Sequence, residues 1–125
     1  MKSYTDISQS KKLAEILPIE SADMTLPFRH PKKDEYIPGY VVSRNYVEVY
    51  NEMMKLPGME KEDVCKLIQP SWSLAALLDV VSEEVSLNSF KDGNWNAMVQ
   101  QNGKMIYSDA NNPVDACYEM ILKLK

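Results

Sequence analysis

Two short turns constrain this chain more than anything else in it: Lys91-Asp92-Gly93-Asn94 and Gln101-Asn102-Gly103-Lys104. Asp-Gly and Asn-Gly suit tight hairpins because both central positions call for positive φ, which glycine takes freely and Asn or Asp tolerate. Strand-like segments flank them at residues 85–90, 95–100 and 104–108. In the second segment Trp95, Ala97 and Val99 point one way, and Asn96, Met98 and Gln100 the other. In the third, Met105 and Tyr107 oppose Ile106 and Ser108. The three together predict an antiparallel meander with one covered face and one wetter face.

Helices are expected on both sides of the meander. Leu74-Ala75-Ala76-Leu77-Leu78-Asp79-Val80-Val81 is apolar on nearly every side, which predicts a helix buried over most of its circumference against the sheet and other helices. Ser71 or Ser73 can cap it. At the other end Asn112 is placed to cap and Pro113 to occupy the first helical position, where a missing amide hydrogen costs nothing. Asp115 then lies near the positive end of the helix dipole, and Lys123 and Lys125 near the negative end. Val114, Cys117, Tyr118, Ile121 and Leu124 form the stripe expected to be buried. Residues of about 71–125 therefore read as an α-β-β-β-α unit.

The earlier part of the chain is less regular. Residues 6–17 predict a helix started by Thr5 or Asp6 and stopped by Pro18. From 19 to 44 the periodicity dissolves around Pro27, Pro31, Pro38 and Gly39. A loop that long is unusual inside a domain, so either a hidden short strand or an inserted segment with its own role is expected there. Residues 45–56 regain a helical period, although Tyr46-Val47-Glu48-Val49-Tyr50 is also good strand chemistry. A short helix over 61–68 follows and Pro70 closes it. The reading is a single α+β domain over 1–125: a three-stranded antiparallel meander packed with helices, preceded by N-terminal helices.

Charge and composition narrow the function classes. With a net charge of −4 the chain lacks the basic footprint of nucleic-acid binders, so a nucleic-acid partner is not expected. No apolar run reaches the roughly 20 residues that span a bilayer, so no membrane partner is expected. The opening Met1-Lys2-Ser3-Tyr4-Thr5-Asp6 lacks the apolar core of a secretion signal, and the expected location is cytoplasmic with reduced thiols.

Individual residues offer little chemistry. His30, the sole histidine, sits in Phe28-Arg29-His30-Pro31-Lys32-Lys33 without a recognisable motif and reads as an ordinary loop histidine. Cys65 and Cys117 fall on apolar helical stripes and are expected to pack as small hydrophobes. Glu83-Glu84, Asp34-Glu35 and the group Glu60, Glu62, Asp63 are adjacent or near-adjacent carboxylates, which read as a solvated surface rather than a catalytic pair. Arg29, Lys32 and Lys33 make a weak basic patch beside Asp34 and Glu35. Trp72, Trp95 and Tyr107 are candidates for a partner surface or the core, with Trp72 expected inside and Trp95 partly exposed. No catalytic, cofactor-binding or metal-binding residue and no cofactor is indicated. Trp95, Tyr36 and His30 are the residues named for an interaction surface.

The order Trp72-Ser73-Leu74-Ala75-Ala76-Leu77-Leu78, a meander containing Trp95, and Asn112-Pro113-Val114-Asp115-Ala116-Cys117 resembles small bacterial proteins of prophage or mobile-element origin. It is also similar in layout to the phage ABA sandwich domain, in which a three-stranded sheet lies between helices. The resemblance covers the C-terminal third, carries no catalytic motif, and implies a fold and a phage-like context. Two functions follow as expectations. The favoured one is a small non-enzymatic accessory or protein-interaction protein of phage or prophage type, with an unidentified protein partner and with room for homodimerisation on the open sheet face. The alternative is a small-ligand binder or enzyme whose site the 19–44 segment forms against the sheet.

Overall fold

Capping chemistry in the sequence reappears directly in the helices of the computed structural model, which describes residues 2–30, 33–36 and 43–124; the side chains of 28–30 and 33–36 lie outside that description. The fold is α+β, with two three-stranded antiparallel sheets. The chain clusters into two units. One comprises Asp6–Trp72, the other the first five residues together with Ser73–Lys125.

In the Asp6–Trp72 unit, α1 (Ile7–Ile16) opens with a capping box in which the Asp6 carboxylate accepts from the Gln9 amide at 2.8 Å. Pro18 follows the helix end, as expected. The irregular 19–44 stretch hides two strands: β1 (Met24–His30) and β2 (Lys33–Tyr36). The first half of β1, from Met24 to Pro27, pairs with β3 (Ile68–Ser71), and its second half pairs with β2. Among the described residues Pro27 has a ladder partner on one side, Ile68, which leaves the other side for its missing N–H.

The sequence reading missed β3 altogether. Pro70 was expected to close a helix, yet it lies within this strand opposite Thr25. The strand sits at the sheet edge, where a proline's missing donor is tolerated. The helix expected before it is present as α3 (Lys61–Leu67), and α2 (Tyr46–Met54) settles the helix-or-strand ambiguity of Tyr46–Tyr50 as helix. Leu13, Leu26, Val64 and Trp72 are among the fully buried side chains of this unit. The Trp72 indole donates to Ser21 Oγ at 2.9 Å, so its polar edge is paired inside the core.

In the C-terminal unit, α4 (Leu74–Asp79) is shorter than its apolar run, with Ser73 Oγ accepting from the Ala76 amide. The meander follows as β4 (Val85–Ser89), β5 (Trp95–Gln101) and β6 (Lys104–Ala110), in the order β4-β5-β6. The Asn102-Gly103 turn is the expected tight one, since both residues have positive φ, at 53° and 77°. The Asp92-Gly93 turn is not. Only Gly93 is left-handed there, with φ at 91°. Gly93 N–H donates to Phe90 O, and Phe90 N–H donates to Asn94 O, which makes a three-residue loop: a type I turn followed by a left-handed glycine. Asp92 explains the difference. Its carboxylate accepts from both the backbone and the side-chain amide of Asn94, an arrangement that holds Asp92 on the type I side.

The last helix, α5 (Pro113–Leu124), lies across β5 and β6 and against α4. Val114, Cys117, Met120 and Ile121 are buried beneath it, together with Ala97 and Val99 of the sheet. Asn112 Oδ1 accepts from the Asp115 amide at 2.8 Å, and Asn112 Nδ2 donates to the Asp115 carboxylate at 2.8 Å. Lys2 pairs with the second Asp115 oxygen at 2.7 Å, tying the first residues to this helix.

Candidate functional site: the open face of the C-terminal sheet

Strand alternation and the ladder register sort the meander's side chains onto two faces. Val85, Val99 and Ile106 lie in one row, and Leu87, Ala97 and Ser108 in the next; both belong to the face under α5. Opposite them, Ser86, Met98 and Tyr107 form a row, as do Asn88, Asn96 and Asp109. Gln100 pairs with Met105 on this outer face, and Phe90 extends it beyond β4.

The outer face is more apolar than a solvated sheet surface requires. Phe90 is 52% exposed, Tyr107 54% and Met105 56%, and half-buried Met98 lies directly opposite Tyr107. Scattered exposed hydrophobes need no explanation, whereas Met98, Met105 and Tyr107 are neighbours in the ladder, and Phe90 stands apart from them beyond the polar row Asn88-Asn96-Asp109. Two methionines make such a surface adaptable, because the thioether chain repacks with little strain. Polar groups frame the set: Asn96 Nδ2 donates to Asp109 at 2.8 Å, and Glu83 and Glu84 rim a shallow dish lined by Ser86, Met98, Gln100 and Met105. At the β6 edge, Lys123 Nζ donates to Tyr107 O at 2.7 Å and lies 5.6 Å from the Tyr107 ring centroid, which holds the ring by a cation–π contact.

The structure disperses the residues that the sequence nominated. Trp95 lies on the helix-covered face, half-buried between Ser89 and Ala110 in the ladder, and not on the outer face. His30 and Tyr36 belong to β1 and β2 of the other unit; His30 is thus a strand residue and not a loop one, and both side chains lie outside the described residues. The basic cluster shares that position, since Lys32 and the side chains of Arg29 and Lys33 are likewise outside. So is much of the 19–44 segment invoked for a ligand site, namely 31–32 and 37–42. Phe90 and Met105 were missed as surface residues. The signal was available: once both turns are placed, parity alone puts Phe90, Met98, Met105 and Tyr107 on one face.

Cys117 is 1% exposed, and burial pushes its thiol up to about 11. Cys65 departs from expectation. It is exposed, because α3 turns Val64 into the core and leaves its neighbour outside. Tyr46 is pushed up to about 12, mainly by burial and further by the nearby Cys65 and Tyr50. On the surface, Arg44 clamps Glu52 through two hydrogen bonds of 2.8 and 2.6 Å; this pairing raises the guanidinium and lowers the carboxyl. These shifts follow from packing and from one exposed ion pair, and they do not converge on a cleft. A crevice beside α5, lined by Val80, Glu83, Gln101 and Ile121 among others, encloses about 60 Å³, enough for water but not for a metabolite. Among the described residues, no three His, Cys, Asp or Glu side chains group as metal ligands, and no helix is long and apolar enough to cross a membrane. No protein-family model, curated protein or solved structure matches the chain.

Proposed function

We propose that this chain is a small non-enzymatic accessory protein that binds another protein through the outer face of its C-terminal sheet. The observation that carries the reading is the grouping of Met105 and Tyr107, each more than half exposed, beside half-buried Met98 on one uncovered face. Aromatic and methionine side chains supply large contact area, and the Asn, Gln and Ser residues around them supply a polar rim. The phage or prophage context belongs to the same proposal and rests on the resemblance of the two C-terminal helices and the meander between them.

The test is a comparison of two baits in cells of the native host. One is the wild-type chain, the other carries Met105→Glu with Tyr107→Glu. Both positions are exposed, so the fold should survive, as far-UV circular dichroism and the melting temperature will verify. A partner retained by the wild type and lost by the folded variant is the expected result. Equal capture by both, or stabilisation of the wild type by a metabolite that the variant also binds, refutes the reading.

A further inference from the structure

We infer that β4 is a pairing edge for a second copy of this chain, and that two β4 strands meet antiparallel about Leu87. The inference stands on edge geometry and is independent of the outer-face reading. Among the described residues β4 pairs with β5 alone. The bond from Phe90 N–H to Asn94 O fixes the phase of this ladder. Hydrogen-bonded pairs alternate along antiparallel strands, so Asn88 and Ser86 turn their backbone groups toward β5. Val85, Leu87 and Ser89 therefore turn theirs to the open edge.

That edge carries none of the usual guards. Val85-Ser86-Leu87-Asn88-Ser89 has no charge and no proline, and its register with β5 runs without a bulge. The opposite edge, β6, is guarded: Lys104 opens it and Lys123 caps the Tyr107 carbonyl in its middle. An identical chain is singled out by self-complementarity. With the two-fold axis at Leu87, Val85 lies opposite Ser89 of the second copy, and Leu87 opposite Leu87. All of these are residues whose backbone groups face outward, so each pair exchanges two bonds. Glu83 and Lys91 flank the strand at equal distance from Leu87, so the two-fold brings the acidic flank of one β4 beside the basic flank of the other, and symmetry repeats that opposite-charge approach. Half-buried Leu87 would meet its counterpart on the helix-covered side. Because the C-terminal sheet offers one unguarded edge among the described residues, pairing through it closes at a dimer with a continuous six-stranded sheet.

Light scattering coupled to gel filtration, run from micromolar to millimolar chain, tests this. The expected mass is twice 14.3 kDa at the upper end. Ser89→Pro removes an outward N–H without touching a bond to β5, and should weaken the dimer on the order of tenfold or more. Lys91→Glu, at an exposed loop position, should weaken it by roughly tenfold through like-charge contact, and adding Glu83→Lys should restore it. A chain that is monomeric throughout overturns the inference. So does a dimer indifferent to Lys91→Glu, or one abolished by Met105→Glu with Tyr107→Glu, which would place the contact on the outer face.

Discussion

Removing a hydroxyl from Ser108 should make this protein more stable. Ser108 is 5% exposed on the helix-covered face of β6, opposite Ala97, and its Oγ has no hydrogen-bond partner among the described residues. Burying a hydroxyl without a partner costs about 1–3 kcal/mol. Ser108→Ala removes that cost and leaves a void of one oxygen atom, worth only a few tenths of a kcal/mol at about 24 cal/mol per Å³. The net expectation is a gain of about 1 kcal/mol. For a chain of this length that raises the melting temperature by about 4 °C, from an unfolding entropy of about 2.1 cal/mol/K per residue. Urea titrations with an unchanged m-value, alongside calorimetry, measure it. Ser86→Ala, exposed on the outer face of the same sheet, is the control and should change stability by less than about 0.5 kcal/mol. A loss of about 0.5 kcal/mol or more in Ser108→Ala would refute the reasoning, because it would show that the hydroxyl is paired in solution.

Further outcomes follow from both units. Asn112→Ala strips the cap of α5 and its bond to the Asp115 carboxylate, so a destabilisation of about 1–2 kcal/mol is expected by urea melts, and a value near zero would show that the Asp115–Lys2 pair suffices. Stability should also fall in alkali. Burial favours the protonated forms of Cys117 and Tyr46 in the folded state, so their contribution is intact below about pH 9 and is lost between about 9 and 11 for Cys117 and between about 10 and 12 for Tyr46. At full titration the loss is on the order of 3 kcal/mol each. Cys117→Ala should flatten the first part of that decline, and a native-state thiol reagent should label Cys65 well before Cys117.

Local chemistry was legible wherever neighbours in sequence supply the partners. Asp6 with Gln9, Ser73 with Ala76, and Asn112 with Asp115 are contacts within one helical turn, so the three helix starts could be read off the chain. Asn102-Gly103 likewise needs nothing beyond its own two φ angles. Asp92-Gly93 shows the limit. The dipeptide signals a hairpin, but the Asp92 carboxylate bonding to Asn94 chooses the turn type, and the choice adds one residue to the loop.

What the sequence by itself determined is the C-terminal unit: two capped helices, three alternating strands, and the segregation of Val99 from Met98 and of Ile106 from Tyr107. Period-two alternation is a local property, and it survives whatever packs against the sheet. Tertiary structure alone decided the rest. Prolines at 27 and 70 argued against strands until β1 split its two halves between different neighbours and β3 took an edge, so that each missing donor could point where no ladder bond was needed. Cys65 and Val64 are adjacent in an apolar run, and only the rotation of α3 could say which is buried. The candidate surface belongs to this second class. A tyrosine, a phenylalanine and two methionines carry the same apolar signal inside a core or outside it, and the fold exposes three of the four by laying α5 on the opposite face.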